Sequence, residues 1–274
     1  MEEIAMGLRI NTNVSALNAS RTLRRTTNSL NGSLERLSSG LRINRAKDDA
    51  AGLAIAEGFR SQVRGAQVAQ RNSQDGISLA QTAEGALSET TNILQRVREL
   101  AVQAANGTQS TTNRAALNNE VQQLLAQVDD IALDTEFNGI QVLSANQTVT
   151  LQTGANVSQT LVVTVEGAKS NDLKVSNVQI SSVALAVSAI SAVDVAIQSV
   201  SSLRSTLGAF QNRLEFTVST LAIQEENAAA SESQIRDADI AQETIQFTRN
   251  QILVSAGTSI LAQANVTPQS ALQL

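Results

Sequence analysis

Apolar residues recur every three or four positions along most of this chain. Val183, Val187, Ile190, Val193, Ile197, Val200, Leu203, Leu207, Phe210, Leu214, Val218 and Leu221 advance by a mean step of about 3.5. A helix with that spacing buries one seam against another helix. Ile93, Val97, Leu100 and Ala104 repeat the pattern, as do Leu117, Val121, Leu124, Val128 and Ile131, and again Leu30, Leu34, Leu37 and Leu41. Between about 138 and 180 the period falls to two, with Val149/Leu151, Leu161/Val163/Val165 and Leu173/Val175 in turn. Gly154 and Gly167 separate these runs, so a small β-hairpin region is expected there.

Punctuation places the boundaries. Asn106-Gly107 reads as a left-handed helix end, and Ser110-Thr111-Thr112 as the cap of the next helix. Phe137-Asn138-Gly139 is a turn signal, and Asp239 with Gln242 three residues on resembles a capping box. The one proline, Pro268, marks where the final helix is expected to stop. The expected fold is mainly α: a long antiparallel coiled-coil rod with a small β-hairpin region, the two termini pairing as a helical layer. The divisions are 1–47 (terminal helix and joint), 48–136 (rod helices), 137–180 (hairpin region), 181–236 (returning rod helix) and 237–274 (final helix). A helix from about 50 to 105 would be roughly 80 Å long.

Composition narrows the chemistry. The chain has no Cys and no His, which excludes disulfides, thiolate sites and the commonest general base and metal ligand. Aromatic residues are five Phe, with no Tyr or Trp, so the stacking platforms of single-strand nucleic-acid binders are missing. Net charge is −5, which disfavours attraction to nucleic acid or anionic membrane. No basic segment precedes an apolar one at the start, so no cleaved secretory signal is expected. No unbroken run of about 18 apolar residues occurs, so no membrane insertion is expected.

Charge is uneven. Residues 1–50 carry eight Arg/Lys against five Asp/Glu, and residues 225–274 carry two against six. Termini of opposite sign suit packing on each other or on neighbouring copies. Their short, aromatic-poor amphipathic helices would gain order mainly on assembly. Slow amide exchange at both termini is then expected in the assembled form only.

The stretch SGLRINRAKDDAAG (Ser39–Gly52) concentrates Arg42, Arg45 and Lys47 before Asp48 and Asp49, with Gly40 and Gly52 at its ends. Carboxylates beside basic groups could serve acid/base chemistry, a metal or a salt-bridged joint. The joint is favoured: Gly40 lets one helix end, and Asp48 and Asp49 suit the first turn of the next. Arg42, Arg45 and Lys47 are then expected to pair with Asp237 and Asp239, or with a neighbouring subunit. Asp129-Asp130 and Asp134 lack metal-loop spacing and read as solvent-facing helix charges. The N-x-[ST] triplets at Asn13, Asn18, Asn31, Asn106, Asn146, Asn156 and Asn265 read as composition, not as glycan acceptors.

Several runs carry a family resemblance. ERLSSGLRINRAKDDAAGLAIAEGFR (Glu35–Arg60) closely resembles the N-terminal signature of bacterial flagellins. INTNVSALNA (Ile10–Ala19), RNSQDGISLAQTAEGAL (Arg71–Leu87), QRVRELAVQAANGT (Gln95–Thr108) and EFNGIQVL (Glu136–Leu143) do so too. LRSTLGAFQNRLE (Leu203–Glu215) and AGTSILAQANVTPQSAL (Ala256–Leu272) resemble the C-terminal signature. The matching runs keep their order over nearly the whole chain.

The resemblance implies a non-enzymatic structural subunit that polymerises into a hollow flagellar filament for swimming. The termini would form its inner core, with Leu30, Leu34, Leu37, Ile252, Ile260 and Leu261 as assembly residues, and the variable outer domains would be missing. It implies no cofactor and export without a cleaved signal to the cell exterior. Implied partners are further copies, an export chaperone, the flagellar type III apparatus, and cap and junction proteins. Arg96, Leu100 and Glu120 match the family's recognition site for a host's Toll-like receptor 5. Met1–Ala5 would extend beyond the start usual in the family, at Met6. The rival readings are a hook–filament junction protein and a secreted coiled-coil adhesin or effector.

Overall fold

A computed structural model describes residues 12–271. Met1–Ala5 and Met6 lie outside the described residues. The elements are α1 (Val14–Ser39), α2 (Ala50–Ala105), α3 (Thr111–Asp134), β1 (Glu136–Phe137), β2 (Ile140–Gln141), β3 (Gln147–Gln152), β4 (Thr160–Val165), α4 (Val183–Arg236) and α5 (Ile240–Ala271). The chain forms two compact units. One holds residues up to Ser61 and from Ala228 onward, and the other holds Gln62–Asn227.

In the 62–227 unit, α2 and α4 run antiparallel. Gln67 and Gln70 bond Glu225, Gln211 bonds Glu84, and Arg98 meets Asp194. The seam of α4 consists of Ala186, Ala189, Val193, Ala196, Val200, Leu203, Leu207, Phe210 and Leu214, all buried. That is a strict alternation of three and four, the coiled-coil repeat. Val193, Val200, Leu203, Leu207, Phe210, Leu214 and Leu221 of the expected stripe are buried, and only its first part is corrected, since Val183 and Val187 are exposed and Ile190 and Ile197 only flank the core. There Ala186, Ala189 and Ala196 take the seam positions, one residue before the expected Val187, Ile190 and Ile197, and let the backbones approach. On α2 the matching seam includes Ala80, Ala83, Leu87, Leu94, Val97, Ala101 and Ala104. A fully buried Leu such as Leu87 contributes about 2–3 kcal/mol over an exposed one. In α3 the buried residues are Arg114, Val121, Leu125, Val128 and Ala132, with Leu117 and Leu124 only at the core's edge.

Exposure of the larger residues gives α4 an unforeseen property. An 18-residue window in it has mean hydropathy 1.9, long and apolar enough to cross a bilayer by composition. Scattered Ser and Asp interrupt every apolar run, so the search for an unbroken run passed it over. In the unit 28% of that window is buried.

The end of α2 departs from expectation. The described residues with left-handed backbone are Gly40, Asn138, Gly139, Ser158 and Lys174, so neither Asn106 nor Gly107 is among them. The end of α2 is held by a buried Arg114, whose guanidinium donates to the Ala104 carbonyl at 2.8 Å and to that of Asn106 at 3.0 Å. A cation there offsets the negative helix end. Ser110 caps α3 as expected, accepting from the Asn113 N–H.

β1 and β2 form a two-residue hairpin on Asn138-Gly139, both at positive φ, which matches the twist such hairpins require. β3 and β4 pair antiparallel with Val149 opposite Val163. The hairpin lies along α2: a Cβ on Gly65 would come within 2.7 Å of Ala155 Cβ, and Asn72 donates to the Gln152 carbonyl. The third expected run forms no strand. Leu173 and Val175 are buried within turns, with Lys174 left-handed between them. Asp129 fixes this segment by accepting from Ser170 N–H at 2.7 Å and Ser170 Oγ at 2.8 Å. Asp129 is therefore a half-buried clamp and not a solvent-facing charge.

In the other unit α1 and α5 lie side by side, antiparallel, with Asn13 opposite Ala264 and Arg36 opposite Glu243. Pro268 does not end α5, which continues to Ala271. A proline in a helix removes the N–H owed to the carbonyl four residues earlier. That carbonyl belongs to Ala264, and it accepts instead from Asn13 Nδ2 at 2.7 Å.

Candidate functional site

The joint between α1 and α2 is built around a crossing with residues 233–239. Gly40 ends α1 with φ of 71°, and its N–H returns to the Arg36 carbonyl. This is the left-handed cap that glycine adopts without a Cβ penalty. Leu41 then bridges antiparallel to Asp237, Arg42 N–H donates to the Arg236 carbonyl, and Ala238 N–H donates to the Gly40 carbonyl. Ile43, 1% exposed, fills the space over Gly52. Backbone pairing and one aliphatic plug therefore hold the joint.

The expected ion pairs between its basic residues and Asp237 or Asp239 do not form within the chain. Arg42 donates to the Ile235 carbonyl. Arg45 pairs with Glu35 at 2.7 Å, and Lys47 acts on Asp48 only through its nearby charge. The carboxylates cap backbone instead. Asp48 accepts from Arg45 and Asn44 N–H, and Asp49 from Gly52 N–H. Asp237 accepts from Ser233, and Asp239 caps α5 through Ala241 and Gln242 N–H. Asx capping satisfies donors that a helix start leaves open, which a long-range pair would not do. The Arg45 N–H foremost, then that of Asn44, keeps the Asp48 carboxyl below its ordinary value. Asp48, Asp49 and Asp239 are thus committed to backbone donors and Asp237 to the Ser233 hydroxyl.

Two pairs that the sequence did not single out flank the joint. Arg36 meets Glu243 at 2.9 Å, linking α1 to α5. Hydrogen bonding from Arg36 holds Glu243 below the usual carboxylate value, and Glu243 raises Arg36 in return. Arg236, largely covered, meets Glu57 at 3.1 Å and Glu232 at 3.8 Å. Glu243 and Glu57 sit far from their partners in sequence, so spacing carried no signal for them, whereas Glu232 lies one helical turn before Arg236.

The assembly residues divide. Leu34, Ile252 and Ile260 are exposed at 56%, 64% and 60%, while Leu30, Leu37 and Leu261 are half-buried. On α1 the one fully buried residue is Ser33. The pair thus leaves most of its large apolar side chains uncovered.

In the 62–227 unit, Arg96 Nη2 and Nε reach Glu120 Oε1 at 3.0 and 3.2 Å, and Nη1 reaches Glu99 at 3.1 Å. The bond to Glu120 first, then that to Glu99, raises the Arg96 pKa. Arg96 and Glu120 are brought together at the surface. Leu100 is not: it is 1% exposed, inside the core. Four residues along α2 from Arg96, it lands in the core and not on the Arg96 surface.

Family models describing the bacterial flagellin N-terminal helical region and C-terminal helical region match residues 10–148 and 190–274. The chain belongs to the bacterial flagellin family. A flagellin of Halalkalibacterium halodurans is 49% identical over 97% of this chain and 98% of its own length. One from Bacillus subtilis strain 168 is 46% identical over 97% and 99%. A solved structure assigned as a flagellar hook-associated protein of Vibrio parahaemolyticus covers 69% of this flagellin with a TM-score of 0.58 at 10% identity. The fold is thus shared beyond flagellins, and the sequence makes the distinction. Among the described residues no cluster of three or more Asp or Glu could hold a metal in this flagellin.

Proposed function

We infer that this flagellin is the structural subunit of a bacterial flagellar filament for swimming motility, and that it is not an enzyme. The observation that carries the reading is the uncovered apolar surface of the terminal pair. Val14, Leu17 and Leu34 on α1, and Ile245, Ile252, Leu253 and Ile260 on α5, are all exposed in the single chain. Such a surface on a helix pair with little core of its own is stabilised by neighbouring copies. Apolar area removed from water contributes about 25 cal/mol per Å², enough for many small contacts to offset ordering of the termini.

In this reading residues 1–47 and 237–274 form the inner layer and 48–236 the next. At the joint, Arg45 and Lys47 are exposed and can face neighbouring subunits. The chain would leave the cell unfolded through the flagellar type III apparatus, accompanied by a chaperone on its C-terminal segment. It would add to the filament under a cap, beyond junction proteins. The Arg96–Glu120 surface supports recognition by a host's Toll-like receptor 5.

The test is salt-induced polymerisation of purified monomer, followed by sedimentation and electron microscopy. Micrometre filaments are expected, with Ile252→Asp and Ile260→Asp raising the critical concentration at least tenfold. A stable dimer without filaments would favour the adhesin or effector reading. Growth limited to a few layers would favour a junction protein.

A further inference from the structure

We propose that Asn13 is the register pin of the α1–α5 pair, and that Pro268 supplies its partner by freeing one carbonyl. The Asn13 amide uses both ends. Its Oδ1 accepts from Ala16 N–H at 3.0 Å and so caps α1, while its Nδ2 donates to the Ala264 carbonyl at 2.7 Å. Turning the amide over would break both bonds, so the two contacts fix its orientation together. In an uninterrupted helix the Ala264 carbonyl would receive the N–H of residue 268. Proline has none, so the carbonyl is open to an outside donor.

The pin matters because few contacts set the register, chiefly Leu23 lying over Gly257 and Arg36 meeting Glu243. The one fully buried residue of α1 is Ser33, and large apolar residues such as Leu34 and Ile252 point outward. Two helices with so little interdigitation can slide by a turn at small cost. Polar contacts that work in only one alignment prevent this, as a buried polar residue does in a coiled coil. Arg36 with Glu243 is one such contact, toward the joint. Ion pairs tolerate displacement because long side chains follow each other. The short Asn13 side chain meets one backbone acceptor that proline has exposed, whereas the preceding turn of α5 keeps its carbonyls within the helix. Resting on the filament reading, the consequence is that Asn13 holds Val14 and Leu17 in fixed relation to Ile260 when the next copy docks.

Asparagine separates from other caps here. Asp accepts at a helix start but cannot donate, and Ser is neutral but one bond shorter. The experiment uses the full chain as Asn13→Asp, Asn13→Ser, Pro268→Ala and each double variant. Amide exchange of residues 261–267 is read in monomer, and critical concentration is read on wild-type seeds. Asn13→Asp and Asn13→Ser should each speed exchange about tenfold and raise the critical concentration to a similar degree. In the Pro268→Ala background, where residue 268 supplies its own N–H, both effects should fall below about twofold. Equal effects in both backgrounds would reduce Asn13 to a cap, and no effect in either would remove the pin. If the wild-type chain forms no filament, the filament reading fails, while the exchange data still decide the role of Asn13.

Discussion

Arg114 closes the end of the helix before its own, donating to the Ala104 carbonyl at 2.8 Å from a buried position. A cation with two fixed carbonyl acceptors replaces the glycine turn that Asn106-Gly107 suggested. Arg114→Ala should lower monomer stability by about 2–3 kcal/mol, since bonds to charged groups are the stronger ones. Arg114→Lys should recover only part, because a single ammonium cannot span both carbonyls. Urea unfolding of the three proteins checks this, and equal losses for Ala and Lys would mean that the fork geometry does not matter.

The Arg36–Glu243 pair makes the α1–α5 pair acid-sensitive. Glu243 is held below its ordinary value of 4.5, so its contribution is present above that pH. It is lost as the pH falls through the lowered folded value. Glu243→Gln should therefore destabilise the pair at pH 7 and make little difference near pH 2. Amide exchange along α1 and α5 at the two pH values tests the direction; a larger deficit in acid would contradict it.

Gly65 and Gly85 both lie on α2 but should respond oppositely to a side chain. A Cβ on Gly65 meets Ala155, whereas one on Gly85 meets nothing within 4 Å. Gly65→Val should cost about 1–3 kcal/mol and speed exchange in β3 and β4. Gly85→Ala should stabilise by about 0.5–1 kcal/mol through helix propensity alone. Thermal unfolding of both monomers, with exchange data for the hairpin, decides the point.

Arg96→Asp places a carboxylate against Glu99 and Glu120. Receptor signalling by monomer should fall at least tenfold while the helical signal is unchanged, since the pair is exposed. Leu100→Ala should instead act through stability, costing about 2–5 kcal/mol as core truncations do. Unaltered signalling by the Asp variant would exclude this surface.

The helices, their order and the flagellin signatures were legible because apolar period and polar caps are local signals. Ser110 and Asp239 cap where short-range pattern put them. The α4 seam was legible from Val200 to Leu221 but displaced by one residue before it, because Ala186, Ala189 and Ala196 pack by being small and the larger Val187, Ile190 and Ile197 beside them draw the pattern outward. The fate of Arg42 and of Asp129 was illegible for another reason. Their partners, the Ile235 carbonyl and Ser170, are backbone or hydroxyl groups with no charge to betray them in sequence. Pro268 misled because the helix-breaking rule presumes that the freed carbonyl finds no substitute, and Asn13 provides one from 251 residues away.

The stretch of the α4 seam from Ala186 to Val200, built of alanine and valine alone, has a mechanical side. Alanine has no rotamer to change, and valine has one stiff torsion. Twist applied to such a stretch finds few side chains able to rearrange and dissipate it. The load passes instead to backbone hydrogen bonds, whose restoring force is elastic. A material built this way returns torque with little internal friction.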